Sequence, residues 1–174
     1  MKNIFLKTIG LTAFTLVVLF AAQIAVTAQE QERNELLQAQ SHQGTNSIIG
    51  VWEATVTPRN CQTGEPAGAS FQSLVTFHKG GTMSEYGANP ATPFRSNGQG
   101  IWQRAYGDDS YYQRFVFFPL TSGGVPVGKL KVTQTAQHNR YTDEFTSSGT
   151  FQLFNPAGIV INSGCSSATS VRFR

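Results

Sequence analysis

Hydrophobic and polar residues alternate along most of the chain after Ile48, which is the pattern of strands with one buried face. In the segment 50–57, for example, Trp52, Ala54 and Val56 share one face, while charged and hydroxyl-bearing residues occupy the other. Glycine, asparagine and proline residues separate such segments, as expected of antiparallel hairpins. The alternating segments are 50–57, 70–78, 82–86, 100–106, 111–118, 125–136, 141–154, 159–162 and 165–173.

This pattern predicts an all-β domain of eight or nine antiparallel strands. No part of the domain has the length and period of a long helix, and no repeat suggests a solenoid or a propeller. Two architectures fit, a closed up-and-down barrel and a sandwich. Because almost every connection is short enough for consecutive strands to pair, and because closure removes free sheet edges, we predict the barrel.

The amino-terminal part has the layout of a secretory signal peptide. Lys2 and Lys7 flank the start of an apolar run over 9–22, and small residues at Val26 and Ala28 suit cleavage after Ala28. An uncleaved membrane anchor is the alternative. We predict a signal peptide over 1–28 and a secreted or periplasmic protein without stable membrane insertion after cleavage.

Charge and composition then limit the partners. Removing residues 1–28 takes Lys2 and Lys7 away and lowers the formal net charge from +3 to +1. A chain so close to neutrality lacks the basic footprint of a nucleic-acid-binding protein. Residues 29–47 are rich in Gln, Glu, Ser and Asn and are predicted to be a flexible polar leader, followed by a barrel domain over 48–174.

Cys61 and Cys165 are the only cysteines in the chain. In an oxidising compartment they are predicted to form a disulfide, two buried free thiols being the alternative. Such a bond would set the first and last strands side by side and close the barrel. The register that follows places Trp52 opposite Arg174, with Arg172 one diagonal step away, so that an arginine stacks on the indole ring. The alternative is that both arginines belong to a frayed basic tail.

Gly50-Val51-Trp52 at the start of the first strand, together with a basic residue near the end of the last, resembles the structural signature of the lipocalins and their calycin relatives. The resemblance covers the two ends of the domain. It implies a small, bacterial lipocalin-like barrel, and members of that family generally bind small apolar molecules. The allene oxide cyclase-like barrel, some of whose members are cyclases or isomerases, is an architectural alternative by analogy alone.

Alternation also directs many aromatic side chains to the inner face, where they either fill the barrel or surround a small cavity. If a cavity exists, Arg104 and Gln134 are the polar residues expected to point into it. A buried arginine needs an anionic partner, which would be a ligand carboxylate or Glu85. The predicted ligand-contacting residues are Trp52, Phe71, Phe77, Trp102, Arg104, Phe115, Phe117, Gln134, Phe145 and Phe151.

No catalytic residue, metal site or cofactor is predicted. The sequence lacks a nucleophile elbow, a phosphate-binding glycine loop and a cluster with metal-ligand spacing. His42, His78 and His138 are each expected to be solvated side chains. Asp143 and Glu144 are neighbours on a predicted strand, so their carboxylates should point to opposite faces and cannot act together.

Three functions are compatible with these features. The leading prediction is an exported protein that binds a small hydrophobic or amphiphilic molecule inside its barrel. The alternatives are a barrel enzyme, such as a cyclase or isomerase, and a structural or interaction module that displays the loops 60–69 and 88–97. A cavity above about 300 Å³ would favour binding over display, and an inward ionisable pair with perturbed pKa values would favour an enzyme. The sequence leaves the ligand and the oligomeric state open.

Overall fold

The computed structural model describes residues 47–105 and 109–174, so the predicted signal peptide and all but the last residue of the predicted leader lie outside the described residues. This part of the chain contains no helix long and apolar enough to cross a membrane. It forms eight strands: β1 (Gly50–Arg59), β2 (Phe71–Phe77), β3 (Thr82–Gly87), β4 (Gly98–Arg104), β5 (Ser110–Phe117), β6 (Lys129–Asn139), β7 (Glu144–Phe154) and β8 (Val160–Arg172).

The strands form a closed antiparallel barrel in sequence order, with β8 paired to β1. The predicted up-and-down barrel is therefore confirmed, and the sandwich is excluded. The segments predicted over 159–162 and 165–173 are parts of one strand, because Ser163 and Gly164 continue the ladder by pairing with Gln152 and Phe151 of β7. The strand number is eight for this reason.

The two ends of the barrel differ in their connections. At one end, here called the hairpin end, the β2–β3 and β6–β7 connections are the short turns 78–81 and 140–143. At the other, here called the loop end, the connections are 60–70, 88–97, 118–128 and 155–159. The longer connections thus gather at one end of the barrel.

The disulfide between Cys61 and Cys165 is present, with its Cα atoms 5.2 Å apart. The register between β1 and β8 nevertheless differs from the predicted register, which assumed that the two cysteines pair directly across the ladder. Cys165 pairs across the β1–β8 ladder with Arg59, whereas Cys61 lies in the turn that follows β1. The bond is therefore diagonal, and the ladder is displaced by two residues from a direct pairing of the two cysteines.

Because of this displacement, Trp52 pairs with Arg172 and not with Arg174. Arg172 is part-buried, and its Nε donates to Asp143 at 2.7 Å. Asp143 precedes β7 with a positive φ of 55°, in the turn from β6. The Arg174 side chain is 80% exposed and reaches the same carboxylate at 3.4 Å. Only one of the two predicted arginines thus lies at the indole ring.

The segment that precedes β1 covers the hairpin end of the barrel. The Arg172 guanidinium lies 4.2 Å from the centroid of the Trp52 ring and donates to the carbonyl oxygens of Ile49 at 2.9 Å and Ser47 at 2.7 Å. The Trp52 indole N–H donates to the carbonyl oxygen of Ile48 at 2.8 Å, and the Ile48 side chain is fully buried. Residues 47–49 are therefore fixed as a cap, here called the 47–49 cap.

Aromatic side chains fill the interior next to this cap. Trp52 packs edge-to-face on Phe145 with ring centroids 5.0 Å apart, and Phe145 packs in the same way on Phe77 at 5.7 Å. Trp102 continues the cluster, 5.9 Å from Phe77 and 5.7 Å from Tyr111. Such edge-to-face pairs add to the free energy of burying the rings. The hairpin half of the barrel is consequently a packed core.

Candidate functional site

The half of the barrel nearer the loop end is not filled, and it contains a cavity of about 600 Å³. Strand residues form its sides. Residues 67–69 of the 60–70 connection and 89–92 of the 88–97 connection complete the wall at the loop end. Phe145 lines the cavity and also belongs to the aromatic cluster, so its ring forms part of the floor. The apolar side chains around the cavity include Val56, Phe71, Phe115, Phe117, Phe151 and Leu153.

Most of the predicted inner-face residues lie at this cavity. Phe115 and Phe117 come from β5, and Phe151 from β7, where Gly164 of the paired strand leaves room for its ring. A Cβ atom at Gly164 would come within 2.6 Å of that ring. The predicted residues that line the cavity are Phe71, Phe115, Phe117, Gln134, Phe145 and Phe151.

Three predicted aromatic contacts lie elsewhere. Trp52 and Phe77 are fully buried in the aromatic cluster beneath the cavity, and neither lines it. Trp102 is half-buried at the hairpin end, where its indole N–H donates to the carbonyl oxygen of His78 at 3.0 Å. Alternation identifies the face on which a side chain lies, but it does not give the height of that side chain along the barrel axis. The predicted positions of these three residues on the inner face therefore did not specify a place at the cavity.

Arg104 is not directed into the cavity either. It is the last residue of β4, at the hairpin end, and its side chain is 59% exposed. Its guanidinium lies 3.3 Å from Asp109, which also pairs with Arg140. The Arg140 hydrogen bond holds the pKa of the Asp109 carboxyl below its ordinary value. At a strand end a long side chain reaches water whichever face its Cβ occupies, because its charged group is more stable there.

The arginine that does line the cavity is Arg95, in the 88–97 connection. It forms a buried ion pair with Glu85 of β3, and the two side chains are only 4% and 5% exposed. The Ser73 hydroxyl donates to the same Glu85 carboxylate at 2.8 Å. Gly87 and Gly98 provide the space for the pair, since a Cβ at either position would lie 2.7 or 2.8 Å from a Glu85 oxygen. Glu85 was predicted as a possible partner for Arg104, but the arginine that pairs with it is Arg95. Arg95 lies in a loop, where alternation does not predict the direction of a side chain.

A row of polar side chains crosses four neighbouring strands on the cavity wall. The Gln113 side-chain N–H donates to the Gln134 carbonyl oxygen at 2.8 Å, and the Gln134 N–H donates to the Ser166 hydroxyl at 3.1 Å. The Ser147 hydroxyl donates to the same Gln134 oxygen at 3.3 Å. Gln134 reaches across β7 because Gly149 stands opposite it, where a Cβ would come within 3.0 Å of its Cγ.

Among the described residues that line the cavity, three have a buried side-chain oxygen without a hydrogen-bond partner: the hydroxyl of Thr92, the carbonyl oxygen of Gln113 and the hydroxyl of Ser170. Gln113 and Ser170 are almost completely buried, with exposed fractions of 4% and 3%. Neither was predicted. The odd-numbered positions of β5 that place Phe115 and Phe117 inside also place Gln113 there, so the periodicity contained this signal. Ser170 is too small and too common a residue type to attract attention in a sequence.

His138 is buried, contrary to the prediction of a solvated side chain. It packs against Trp52 with ring centroids 5.5 Å apart and lies 4.0 Å from Asp143. Burial lowers its pKa below the ordinary value, the positive charge of Arg172 lowers it further, and Asp109 and Asp143 act in the opposite direction. Because β6 continues to residue 139, beyond the predicted end at 136, position 138 lies inside the barrel. His138 does not line the cavity.

Within 47–105 and 109–174, no group of three or more His, Cys, Asp or Glu side chains is arranged to hold a metal ion. No protein-family model, characterised protein or solved structure matches this chain. The likeness to lipocalins therefore consists of the eight-stranded barrel and the stacking of Arg172 on Trp52 at the closed end.

Proposed function

We propose that the protein binds a small, mainly apolar molecule in the cavity of its barrel. The observation that carries this proposal is a volume of about 600 Å³ above an aromatic floor. An eight-stranded barrel is narrow enough for its own side chains to fill, and an unfilled space costs packing energy. Sites for small molecules typically occupy roughly 300–1,000 Å³ and have mainly apolar walls.

Binding without chemistry is the form of the proposal that the side chains favour. Of the described residues that line the cavity, only Glu85 and Arg95 are ionisable, and they form an ion pair with each other. A general acid or base has to exchange a proton with its substrate. With both groups engaged in one pair, the cavity offers apolar contact and hydrogen bonds as its means of recognition.

We further propose that the protein acts outside the cytoplasm, either secreted or in a periplasm. The disulfide between Cys61 and Cys165 supports this, because such bonds persist mainly in oxidising compartments. The apolar run over 9–22, with small residues before a cleavage point after Ala28, has the layout of an export signal. An exported binder of apolar molecules would carry them through water.

Binding of a fluorescent dye tests the proposed function. Trp52 and Trp102 do not line the cavity, so N-phenyl-1-naphthylamine, whose emission rises in apolar surroundings, is a better reporter than intrinsic fluorescence. We expect Val132→Trp to weaken dye binding by at least about tenfold, because the indole ring would occupy the cavity. Thr133→Trp adds the same ring on the exposed face of β6 and should leave binding unchanged. Absence of dye binding to the unmodified protein, or equal binding to both variants, would contradict the proposal.

A further inference from the structure

We infer that the loop end of the barrel docks on the surface of an anionic phospholipid bilayer, a role that goes beyond binding in the cavity. The first observation is a set of large apolar side chains at this end, each of which has between 47% and 61% of its surface exposed to water. A group of exposed apolar side chains indicates a site of contact with a partner or a membrane. These side chains, here called the apolar rim, are Phe94, Phe118, Val125, Val127, Ile159 and Ile161.

The backbone segments that carry the rim lie next to one another. The Leu120 N–H donates to the carbonyl oxygen of Phe94 at 2.9 Å, which joins the 118–128 connection to the 88–97 connection. Gly128 lies against the start of the turn between β7 and β8, because a Cβ there would collide with the carbonyl oxygen of Phe154. The rim is therefore one surface built on hydrogen-bonded segments, so docking would cost little ordering of the chain.

The charges beside the rim suit an anionic surface. Lys129 and Lys131 begin β6 and alternate with the cavity-lining Leu130 and Val132, so both lysines lie on the outer face. Among the described residues, neither lysine forms an ion pair. The four loop-end connections contain one acidic residue, Glu65, and its connection carries no rim side chain. Lysines near an anionic bilayer strengthen binding, and apolar side chains can enter the boundary between headgroups and acyl chains.

The same charges disfavour a second copy of the chain as the occupant of the rim. Two copies that meet through the same surface are related by a two-fold axis. Such a contact would bring Lys129 and Lys131 of both copies toward each other, and like charges repel. A bilayer with anionic headgroups offers the apolar phase without that repulsion.

Docking by this end would also turn the cavity toward the bilayer. Residues 89–92 complete the cavity wall at the loop end, and the rim residue Phe94 follows two positions later in the same connection. An apolar molecule would then pass between the bilayer and the cavity with little exposure to water. This consequence rests on the proposed function, whereas the docking itself does not.

Co-sedimentation with vesicles tests the docking on the exported protein, from which the predicted signal peptide has been removed. We expect vesicles of phosphatidylcholine with about 30% phosphatidylglycerol to bind it at least about tenfold more tightly than vesicles of phosphatidylcholine alone, because both lysines contribute to the attraction. Sodium chloride at about 0.5 M should remove most of this difference. Equal binding to the two kinds of vesicle, or no binding to either, would overturn the inference.

A pair of isoleucine variants locates the docking surface. Ile159→Asp places a charge in the rim and should weaken binding to the anionic vesicles by at least about fivefold. Ile101→Asp makes the same change at an equally exposed position, 60% against 61%, on β4 beside the first residue of β3, and should leave binding unchanged. Equal effects of the two variants would overturn the assignment to the rim. If Ile159→Asp does not fold, the vesicle series on the unmodified protein still decides the inference.

Sedimentation velocity without vesicles tests the alternative occupant. We expect a monomer, and a dimer that Ile159→Asp disperses would show that a second copy covers the rim and would overturn the inference. The dye measurement separates this inference from the proposed function. A protein that binds the dye but no vesicles would overturn the docking alone, and one that binds vesicles but no dye would overturn the cavity function alone.

Discussion

At the scale of single residues, the buried polar side chains separate into two environments with different roles. Glu85, Arg95 and Gln113 line the cavity. His138 and Arg172 lie below the aromatic cluster, where their contacts are made with the protein itself. A change at the first group should therefore alter recognition, whereas a change at the second should alter stability.

His138 should make stability depend on pH. Burial and Arg172 lower its pKa below 6.5, the value expected in the unfolded chain. As the pH falls through about 6.5, the unfolded state takes up a proton that the folded state does not. The free energy of unfolding should then decrease, by at most about 1.4 kcal/mol per pH unit, until the pH reaches the lowered pKa of the folded state.

Urea denaturation between pH 7.5 and pH 5 measures this decrease. His138→Phe keeps a ring against Trp52 but cannot titrate, so this part of the pH dependence should disappear. His78→Phe, at an exposed position, is the matched control and should retain it. A His138→Phe protein with an unchanged pH dependence would show that other groups cause it.

At the scale of strands, the contact between β1 and β8 is held at both ends by different interactions. At the loop end, the disulfide links residues separated by 104 positions, and the chain-entropy model assigns such a link about 4–5 kcal/mol. At the hairpin end, Arg172 joins β8 to the 47–49 cap and to the ring of Trp52 in β1. The contact that completes the barrel therefore depends on both.

Replacing the two carboxyl-terminal arginines should have unequal effects. Arg172→Leu removes the shorter of the two arginine contacts to Asp143 and the donor to the carbonyl oxygens of Ser47 and Ile49, so we expect a loss of about 3 kcal/mol in the free energy of unfolding. Arg174→Leu removes only an exposed ion pair and should cost less than about 0.5 kcal/mol. Denaturant titration of both variants measures the difference, and similar losses would contradict the assigned role of Arg172.

The strand pattern and closure of the fold were predictable from the sequence, but the site was predictable only in part. Alternation placed Phe115, Phe117 and Phe151 on the inner face correctly, because alternating apolar and polar residues reflect the burial of one face of a strand. It placed Trp52 on the same face without showing that this side chain lies below the cavity. It gave no information on Arg95, because a loop has no fixed period and its path depends on tertiary contacts.

At the scale of the whole molecule, the barrel combines a packed half and an unfilled half. The aromatic cluster and the 47–49 cap close the hairpin end, and the cavity extends toward the loop end. The packing that stabilises the fold and the proposed binding thereby fall in different regions of the barrel. The loops that border the cavity can vary in sequence with little effect on the core, since they contribute few of its buried side chains.

The proposed export predicts a definite mass for the mature protein. Protein recovered from the periplasm or the culture medium should lack residues 1–28 and begin at Gln29, and its mass should be lower by two hydrogen atoms because of the bond between Cys61 and Cys165. Intact-mass spectrometry before and after reduction measures both quantities. A full-length mass, or no change on reduction, would contradict the proposal.

The position of the 47–49 cap has a practical consequence for handling the molecule. Ser47 and Arg172 are hydrogen-bonded to each other, and Arg174 follows two positions later, so the first and last strands of the barrel begin and end on the same side. An affinity tag attached after Arg174 would anchor the protein to a sensor surface by that side. The loop end would then face the flowing sample, which makes immobilisation after Arg174 the suitable geometry for measuring the kinetics of the proposed binding.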